Sequence, residues 1–535
     1  MNEESDYNSR LTSCVNFVER KLDFFTKNVI ISLLIIGALS LLLRLLFFEP
    51  SIPIRQDAVS YFWYANDVSI LKKIIPIYHN NNGWSIFLSI FFSVFHYNNF
   101  IEYTILQRLV SISISVLTII PVYYLGTRFF DKSYSLMASV LFSFEPHIIQ
   151  NSLLGLTEPL YIFLGTSALA LFLSSHKKVI YASFALVALC TIVRTEGIVL
   201  LPIFSIMFVI RFRKEKMIAR QFFLSLVSFG VILLATMITN FQISNDDGIT
   251  GRVVGMTYGS IIEPEKSGFS FPNLLKSAET LAKRLGQSMI PYFALFVPFG
   301  SLLIWRSRNY QTIFVIGTMV VFLLVAFRIF FIAYDLRYLF FTYPLFCIIS
   351  VFTIKHIGNT VNNKNIFLIL LISSTVLLSW FFLYNETHYE YEKEALKFAN
   401  YLVENVSVIN NYYPESGYIY AAWASSHLTF PVLSSSVTYT GPGALDYVKN
   451  TFNYLEKSAD SLEEYIKLAR DQGLTHIVVD GDENRISYFN DLFHNEKKYS
   501  YLIKEFDSRE HGYKYYHVKV FKINYDRFDS IKEDK

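Results

Sequence analysis

Long apolar runs dominate this sequence and leave few folds open to it. Before residue 385, stretches of about 17 to 25 mostly apolar residues recur, and this is the length that an α-helix needs to cross a bilayer. Over the whole chain of 535 residues, 53% are hydrophobic and 17% are charged. The sequence therefore predicts a polytopic α-helical membrane protein.

We predict about eleven spans. They cover residues 29–48, 103–125, 133–151, 156–174, 178–194, 196–211, 221–240, 288–305, 310–333, 338–354 and 365–383. Residues 82–95 are also apolar but short for a span, and we expect a helix lying along the membrane surface there. The first 28 residues are polar and lack the apolar core of a signal peptide, so we expect the first span to remain in the protein.

Lysine and arginine fall in every second loop, which predicts the orientation of the spans. The clusters are Arg20, Lys21 and Lys27; Arg128 and Lys132; Lys177 and Lys178; Arg211, Arg213, Lys214, Lys216 and Arg220; Arg306 and Arg308; Lys355 and Lys364. Because cytoplasmic loops are enriched in these residues, we expect a cytoplasmic N-terminus. The alternate loops, including 49–102, and everything after residue 384 are then extracytoplasmic.

The composition changes after residue 384. Helix-like patterns at 391–403 and 462–471, an apolar strand at 475–480 and alternation at 515–523 predict a soluble α/β domain. The predicted organisation is a cytoplasmic tail at 1–28, a transmembrane domain at 29–384 with a first external loop at 49–102, and an extracytoplasmic α/β domain at 385–535.

Several function classes lack their usual signals. A net charge of +3 gives no argument for nucleic acid as a partner, and three cysteines offer no disulfide framework. The sequence has no phosphate-binding P-loop and no His-Glu-x-x-His motif, which removes the usual signatures of ATP-driven transport and of zinc proteolysis.

The stretch after the first span carries the leading catalytic candidate. Asp57 follows Arg55 and Gln56 and precedes an aromatic group that begins at Tyr61. A carboxylate beside aromatic rings can act as a general base. The alternative is a solvated aspartate in an aromatic belt at the membrane interface.

Other charged side chains lie at the predicted outer ends of spans. Glu145 and His147 lie in the turn between spans three and four, and Glu158 opens span four. Thr157-Glu158-Pro159 is also good helix-start chemistry, with a hydroxyl cap followed by an acid and a proline. Charges at membrane depth are costly and usually functional, so these residues are candidates for a functional site.

Two arginines at the same predicted face are candidates to bind an anion. Arg194 and Glu196 form a short charged turn between spans, and Arg337 lies at the outer end of a later span. The alternatives are a local Arg194–Glu196 pair and an Arg337 side chain that reaches the headgroups. Arg44, inside the first span, is expected to extend to the headgroups in this way.

Together these motifs resemble the polytopic GT-C glycosyltransferases, especially the dolichyl-phosphate-mannose protein mannosyltransferase and aminoarabinose-transferase branch. In that family an aspartate follows the first span, as Asp57 does, and a Gly-Trp-x-x-Phe helix follows, as Gly83 to Phe87 does. An acid opens the fourth span, as Glu158 does. The Arg-x-Glu-Gly turn at 194–197 and the Arg-Tyr-Leu-x-x-x-x-Pro run at 337–344 complete the resemblance. The first-loop pair is Asp-Ala here, where the protein mannosyltransferases commonly have Asp-Glu.

The resemblance implies a glycosyltransferase that moves a sugar from a polyprenyl or dolichyl phosphate to a protein, glycan or lipid acceptor, with inversion. Asp57 would be the general base, Arg194 and Arg337 would bind the donor phosphate, and Glu145, His147, Glu158, Glu196 and Tyr61 would bind the sugar or acceptor. A divalent cation, Mg or Mn, is left open. A transporter or flippase of lipid-linked saccharide is the alternative, and the missing Trp-Trp-Asp motif does not favour an oligosaccharyltransferase.

Overall fold

A computed structural model describes most of the chain. The described residues are 27–52, 54, 57–72, 74, 82–97, 100–214, 217–245, 247–250, 271–307, 309–330, 335–405, 430–433, 459–471, 473–483 and 485–533. Arg55, almost all of the predicted cytoplasmic tail and much of the stretch 241–287 between two predicted spans lie outside them. The chain divides into two compact units, the first from Met1–Phe48, Ile74–Phe87 and Arg108–Thr387 and the second from Glu49–Lys73, Leu88–Gln107 and His388–Lys535.

The helices of the membrane region follow one another closely. They are α1 (Val29–Leu46), α2 (Asp57–Leu71), α3 (Gly83–Val94), α4 (Phe100–Leu117), α5 (Ile119–Gly126), α6 (Lys132–Ser143), α7 (Pro146–Ser152), α8 (Glu158–Phe172), α9 (Lys177–Val193), α10 (Leu200–Phe212), α11 (Ile218–Ser244), α12 (Phe271–Ser288), α13 (Phe293–Ser307), α14 (Tyr310–Ile329), α15 (Tyr343–Gly358) and α16 (Lys364–Glu386). Short 3-10 helices at Thr195–Val199 and Leu336–Thr342 precede α10 and α15.

The chain is an integral membrane protein. Among the described residues, seven helical segments are long and apolar enough to span a bilayer, and α12 and α13 form an eighth if this pair, bent by 107°, is one span. Helices α3, α8 and α9 are apolar but shorter. The prediction of many apolar spans is confirmed, whereas the number eleven stays a prediction.

The predicted span 133–151 is wrong as a single helix. The first helix ends just before Phe144, and a new helix, α7, starts at Pro146. The Glu145 carboxylate accepts a hydrogen bond from the Ile148 backbone N–H at 2.7 Å and so caps α7, while proline occupies the first helical position. Both features start a helix, and proline cannot continue the preceding one.

Several of the basic loops lie at one end of the first unit. Lys364 Nζ is 3.7 Å from a carboxylate oxygen of Asp131, and Lys355 lies over the Phe130 ring. Arg211 Nη2 donates to the Ser174 carbonyl at 2.5 Å. These contacts agree with the alternation of basic loops, and the cytoplasmic location of the N-terminus stays a prediction.

The second unit holds α2, residues 88–107 of the stretch that includes α3 and α4, and the chain after residue 387. Its remaining elements are α17 (Glu390–Asn405), β1 (Phe430–Leu433), α18 (Leu462–Arg470), β2 (Leu474–Asp480), α19 (Ser487–His494), β3 (Leu502–Asp507), β4 (Val518–Ile523) and α20 (Tyr525–Glu533). The strands form an antiparallel sheet in the order β1-β2-β4-β3. Leu462, Ile466 and Phe489 pack with β2 residues in a buried apolar core. The extracytoplasmic location of this region stays a prediction.

Candidate active site

Glu158 and Arg194 form a buried ion pair in the first unit. Glu158 begins α8 and Arg194 follows the last residue of α9, so the two antiparallel helices bring these side chains to one end. Arg194 Nη1 donates to Glu158 Oε1 at 2.5 Å, and Arg194 Nη2 donates to Glu196 Oε1 at 3.1 Å. The Thr157 hydroxyl, expected as a helix cap, makes no capping bond and lies 3.4 Å from Arg194 Nη1.

Arg337 reaches the same carboxylate from a third element. Its Nη1 lies 3.9 Å from Glu158 Oε1, while its Nε donates to Asp335 at 2.6 Å. Asp335 also caps the 3-10 helix by accepting the Arg337 backbone N–H at 3.0 Å. The ring of Phe341 packs directly on Gly165 of α8, where a β-carbon would lie 2.1 Å from the ring. This close approach brings the 3-10 helix against α8.

The cluster of Glu158, Arg194, Glu196, Asp335 and Arg337 is largely withdrawn from solvent. The Glu158 side chain is 2% exposed, compared with 12% for Arg194, 19% for Arg337 and 41% for Asp335. Its two arginines and three carboxylates carry a net charge of −1 when all are ionised. The charges of the two arginines are therefore neutralised by protein carboxylates. Asp335 is the most exposed of these, so an anionic ligand can take its place beside arginine most easily.

Unused hydrogen-bonding capacity remains beside the cluster. Within the described part of the chain, neither Glu158 Oε2 nor the Tyr161 hydroxyl has a hydrogen-bond partner, although both atoms are buried. The Arg194 guanidinium carbon lies 5.9 Å from the Tyr161 ring centroid and 5.4 Å from that of Tyr338. Because buried polar atoms are nearly always paired, these two are suited to bind a hydrogen-bonding ligand.

Glu145 and His147 form a separate pair in the first unit. Glu145 is fully buried, and its Oε1 lies 2.8 Å from His147 Nδ1 while its other oxygen caps α7. The His147 ring contacts Phe382 and Tyr343 at centroid distances of 5.0 and 6.2 Å. Both side chains therefore hold α7 in place, and any contact with a sugar or acceptor stays a prediction.

The expectation that Arg44 extends to the headgroups is wrong, because its side chain has no exposed surface. It donates to Ser115 Oγ at 3.0 Å, to the Ser143 carbonyl at 3.1 Å and to Ser152 Oγ at 3.2 Å. A further bond joins it to the Ser40 hydroxyl of its own helix. Arg44 thus fastens α1 to α4, α6 and α7 at the point where α6 ends.

Asp57 belongs to the second unit and is the first residue of a helix, where the sequence suggested a loop. The Asp57 side chain is exposed, and Tyr61 lies one turn further along α2 with partial exposure. Gln107 Nε2 donates to the Ala58 carbonyl at 3.0 Å, and Phe62 packs against Phe92 with ring centroids 5.5 Å apart. These contacts hold the start of α2 and with it the Asp57 backbone.

Asp67, on the same helix, is a second carboxylate to consider. Burial raises the pKa of Asp67 above its ordinary value. A raised pKa makes a carboxylate a better proton acceptor near neutral pH. The roles of Asp57 and Asp67 must therefore be separated by mutation.

No metal site is evident in the ranges that the structure describes, where no three histidine, cysteine, aspartate or glutamate side chains are grouped to hold an ion. The question of a divalent cation stays open.

Sequence reasoning missed Arg108 as an important residue. Arg108 Nε donates to the Leu153 carbonyl at 2.7 Å, and its guanidinium lies over the Phe48 ring. An arginine inside the apolar run 103–125 is itself a signal, because charges within spans are rare and usually paired. The acceptors of Arg44 had no such signal, because single serines occur throughout these helices.

Comparison with known proteins gives structural matches only. No protein-family model matches the sequence, and no curated protein matches it. The oligosaccharyltransferase of Archaeoglobus fulgidus, in a crystal structure with Zn and sulfate, is similar with a TM-score of 0.57 and 13% identity over 84% of this chain and 68% of that one.

Two further structures contain a polyprenyl phosphate. AglB from Archaeoglobus fulgidus, in complex with an inhibitory peptide and a dolichol-phosphate, has a TM-score of 0.50 and 12% identity, covering 84% of this chain and 69% of that one. ArnT from Cupriavidus metallidurans, bound to undecaprenyl phosphate, has a TM-score of 0.51 and 10% identity, covering 91% of this chain and 97% of that one. The chain therefore has the fold of the polytopic GT-C glycosyltransferases.

Proposed function

We propose that this protein transfers a sugar from a polyprenyl phosphate to a protein, glycan or lipid acceptor at the outer face of the membrane. The observation that carries the proposal is the convergence of Arg194 and Arg337 on the buried Glu158 at the ends of apolar helices. The fold is shared with AglB and ArnT, whose structures contain dolichol-phosphate and undecaprenyl phosphate. These relatives support a lipid-phosphate donor that enters from the bilayer.

The reaction is written as one displacement with inversion. An acceptor oxygen attacks the anomeric carbon, the bond from that carbon to the phosphate oxygen breaks, and polyprenyl phosphate leaves. Asp57 takes the proton of the acceptor hydroxyl as the new bond forms. The transition state resembles an oxocarbenium ion, as in other glycosyl transfers.

Arg337 is proposed to contact the leaving phosphate, with Arg194 behind it. The phosphate gains negative charge as the sugar departs, so a guanidinium in a partly desolvated site stabilises the transition state more than the ground state. Asp335, the partner of Arg337 at 2.6 Å, is 41% exposed, so a phosphate can compete with it for the guanidinium. Arg194 remains between Glu158 and Glu196 and supplies positive charge nearby.

Glu158 and Glu196 are proposed to hold the sugar or the acceptor. Glu158 Oε2, buried and without a hydrogen-bond partner among the described residues, can accept from a sugar hydroxyl. Tyr61 is proposed to line the acceptor side near Asp57. For Glu145 and His147, a sugar contact is proposed only in addition to their observed role in holding α7.

The test is transfer of radiolabelled sugar from a polyprenyl-phosphate donor by the purified full-length protein in vesicles. We expect transfer by the wild type, a loss of at least about a hundredfold in Asp57→Asn, and a smaller loss in Asp67→Asn. Full activity in Asp57→Asn with loss in Asp67→Asn would assign the base to Asp67. Donor that crosses the vesicle membrane unchanged would favour a transporter.

A further inference from the structure

Two consecutive residues, Gly83 and Trp84, contact the backbone that precedes Arg194 and Glu158 respectively. Trp84 Nε1–H donates to the Gly155 carbonyl at 3.1 Å, three residues before Glu158, and the Trp84 side chain is fully buried. Gly83 lies against the backbone just before Arg194. A β-carbon at residue 83 would be 2.8 Å from the carbonyl carbon and oxygen of Ile192.

Position 83 therefore requires glycine for a reason other than its place at the start of a helix. A β-carbon at 2.8 Å from backbone atoms cannot be accommodated by a side-chain rotation, so either α3 or the last turn of α9 must move. Position 84 requires tryptophan for a different reason. The indole N–H of Trp84 donates a hydrogen bond to a carbonyl in the turn just before α8. Gly83 and Trp84 thus form a short and rigid connection between the end of α9 and the start of α8.

Other buried donors hold the remainder of the turn before Glu158. Arg108 Nε donates to the Leu153 carbonyl at 2.7 Å, and Arg44 Nε donates to Ser152 Oγ at 3.2 Å. The start of α3 is itself anchored by Asn82, whose Nδ2 donates to Asn240 Oδ1 at 3.3 Å near the end of α11. With its neighbours held in this way, the Gly83–Trp84 step has little freedom to shift.

We propose that Gly83 and Trp84 are positioning residues that set the geometry between Glu158 and Arg194. They act through the backbone that precedes each of these two residues. A displacement of either turn would lengthen the 2.5 Å contact between Arg194 Nη1 and Glu158 Oε1 and change where Glu158 Oε2 points. The catalytic consequence rests on the proposed function, whereas the geometric consequence does not.

The primary test is hydrogen exchange of the purified full-length protein in Trp84→Phe. Phenylalanine keeps an aromatic ring at the site but removes the indole N–H that donates to the Gly155 carbonyl. We expect about fivefold faster exchange in peptides covering 153–158, the factor that corresponds to one typical hydrogen bond, and a smaller increase across 191–197. Trp380→Phe is the matched control, since Trp380 is 44% exposed on α16 and should leave both peptides unchanged.

The second readout is sugar transfer. We expect a kcat for Trp84→Phe that is about ten- to a hundredfold lower with little change in the KM for the donor, because the groups are present but misplaced. In a Glu158→Gln background the same substitution should cost much less, since both changes act on one pair. Gly83→Ala should have a larger effect on both peptides.

The outcomes separate the two proposals. Wild-type exchange at both turns in Trp84→Phe would overturn the positioning role, whatever the activity. Faster exchange with unchanged transfer, or full additivity with Glu158→Gln, would overturn its catalytic consequence. Faster exchange in a protein that transfers no sugar from any donor would support the positioning of the pair and overturn the proposed function.

Discussion

Replacing Glu158 by glutamine tests the buried cluster most simply, because glutamine has nearly the same shape and lacks the charge. The substitution removes the ion pair with Arg194, whose side chain is 12% exposed against 2% for Glu158, and the longer contact with Arg337. Breaking a buried pair costs about 3 to 5 kcal/mol because the remaining charge stays desolvated. Arg194 keeps Glu196 at 3.1 Å, so we expect the lower end, about 3 kcal/mol.

The assay is the denaturant or thermal midpoint of the purified protein in one detergent, with Asp335→Asn as the matched control. The control also removes a carboxylate from an arginine, but Asp335 is 41% exposed, so we expect a loss of about 1 kcal/mol or less. Equal shifts in the two variants would refute the reasoning that burial makes the Glu158 pair costly to break. So would a Glu158→Gln protein as stable as the wild type.

Two further predictions concern other parts of the molecule. Arg44→Met should lower the unfolding free energy by at least about 3 kcal/mol, because buried acceptors on α4, α6 and α7 lose a charged donor; an unchanged midpoint in the same detergent would contradict this. Burial lowers the pKa of His476 below its ordinary 6.5, although Glu505 lies 3.1 Å from its Nε2. The unfolded state then binds more protons, so β2 should lose stability as the pH falls below about 6.5. Hydrogen exchange of the β2 amides, measured from pH 8 to 5 and corrected for intrinsic rates, should show this loss of stability in the wild type and not in His476→Gln. A loss of stability on raising the pH would contradict the prediction.

The polytopic fold and most of the cluster could be predicted from the sequence. Apolar length identifies spans, and two consecutive antiparallel spans must bring the start of one and the end of the next to the same side. Glu158 and Arg194 meet for this reason. Arg337 was predicted at the same face by counting spans, and its contact with Glu158 depends on the close packing of Phe341 on Gly165.

The packing of Arg44 could not be predicted. Its acceptors lie 71, 99 and 108 positions further along the chain, and no local pattern marks those serines as partners. An arginine near a span end is equally compatible with the headgroups, which is the reading that proved wrong. The helix at Asp57 depends similarly on distant contacts, since Gln107 and Phe92 hold it.

The central claim is that this chain breaks the bond between a sugar and a polyprenyl phosphate. Phosphorus NMR of the donor in vesicles with the wild-type protein and an acceptor tests it directly, because a phosphodiester becomes a phosphomonoester only if the sugar leaves. We predict that the monoester forms in step with glycosylated acceptor and that Asp57→Asn slows both. A donor that remains a diester with every sugar and acceptor tried would contradict the account.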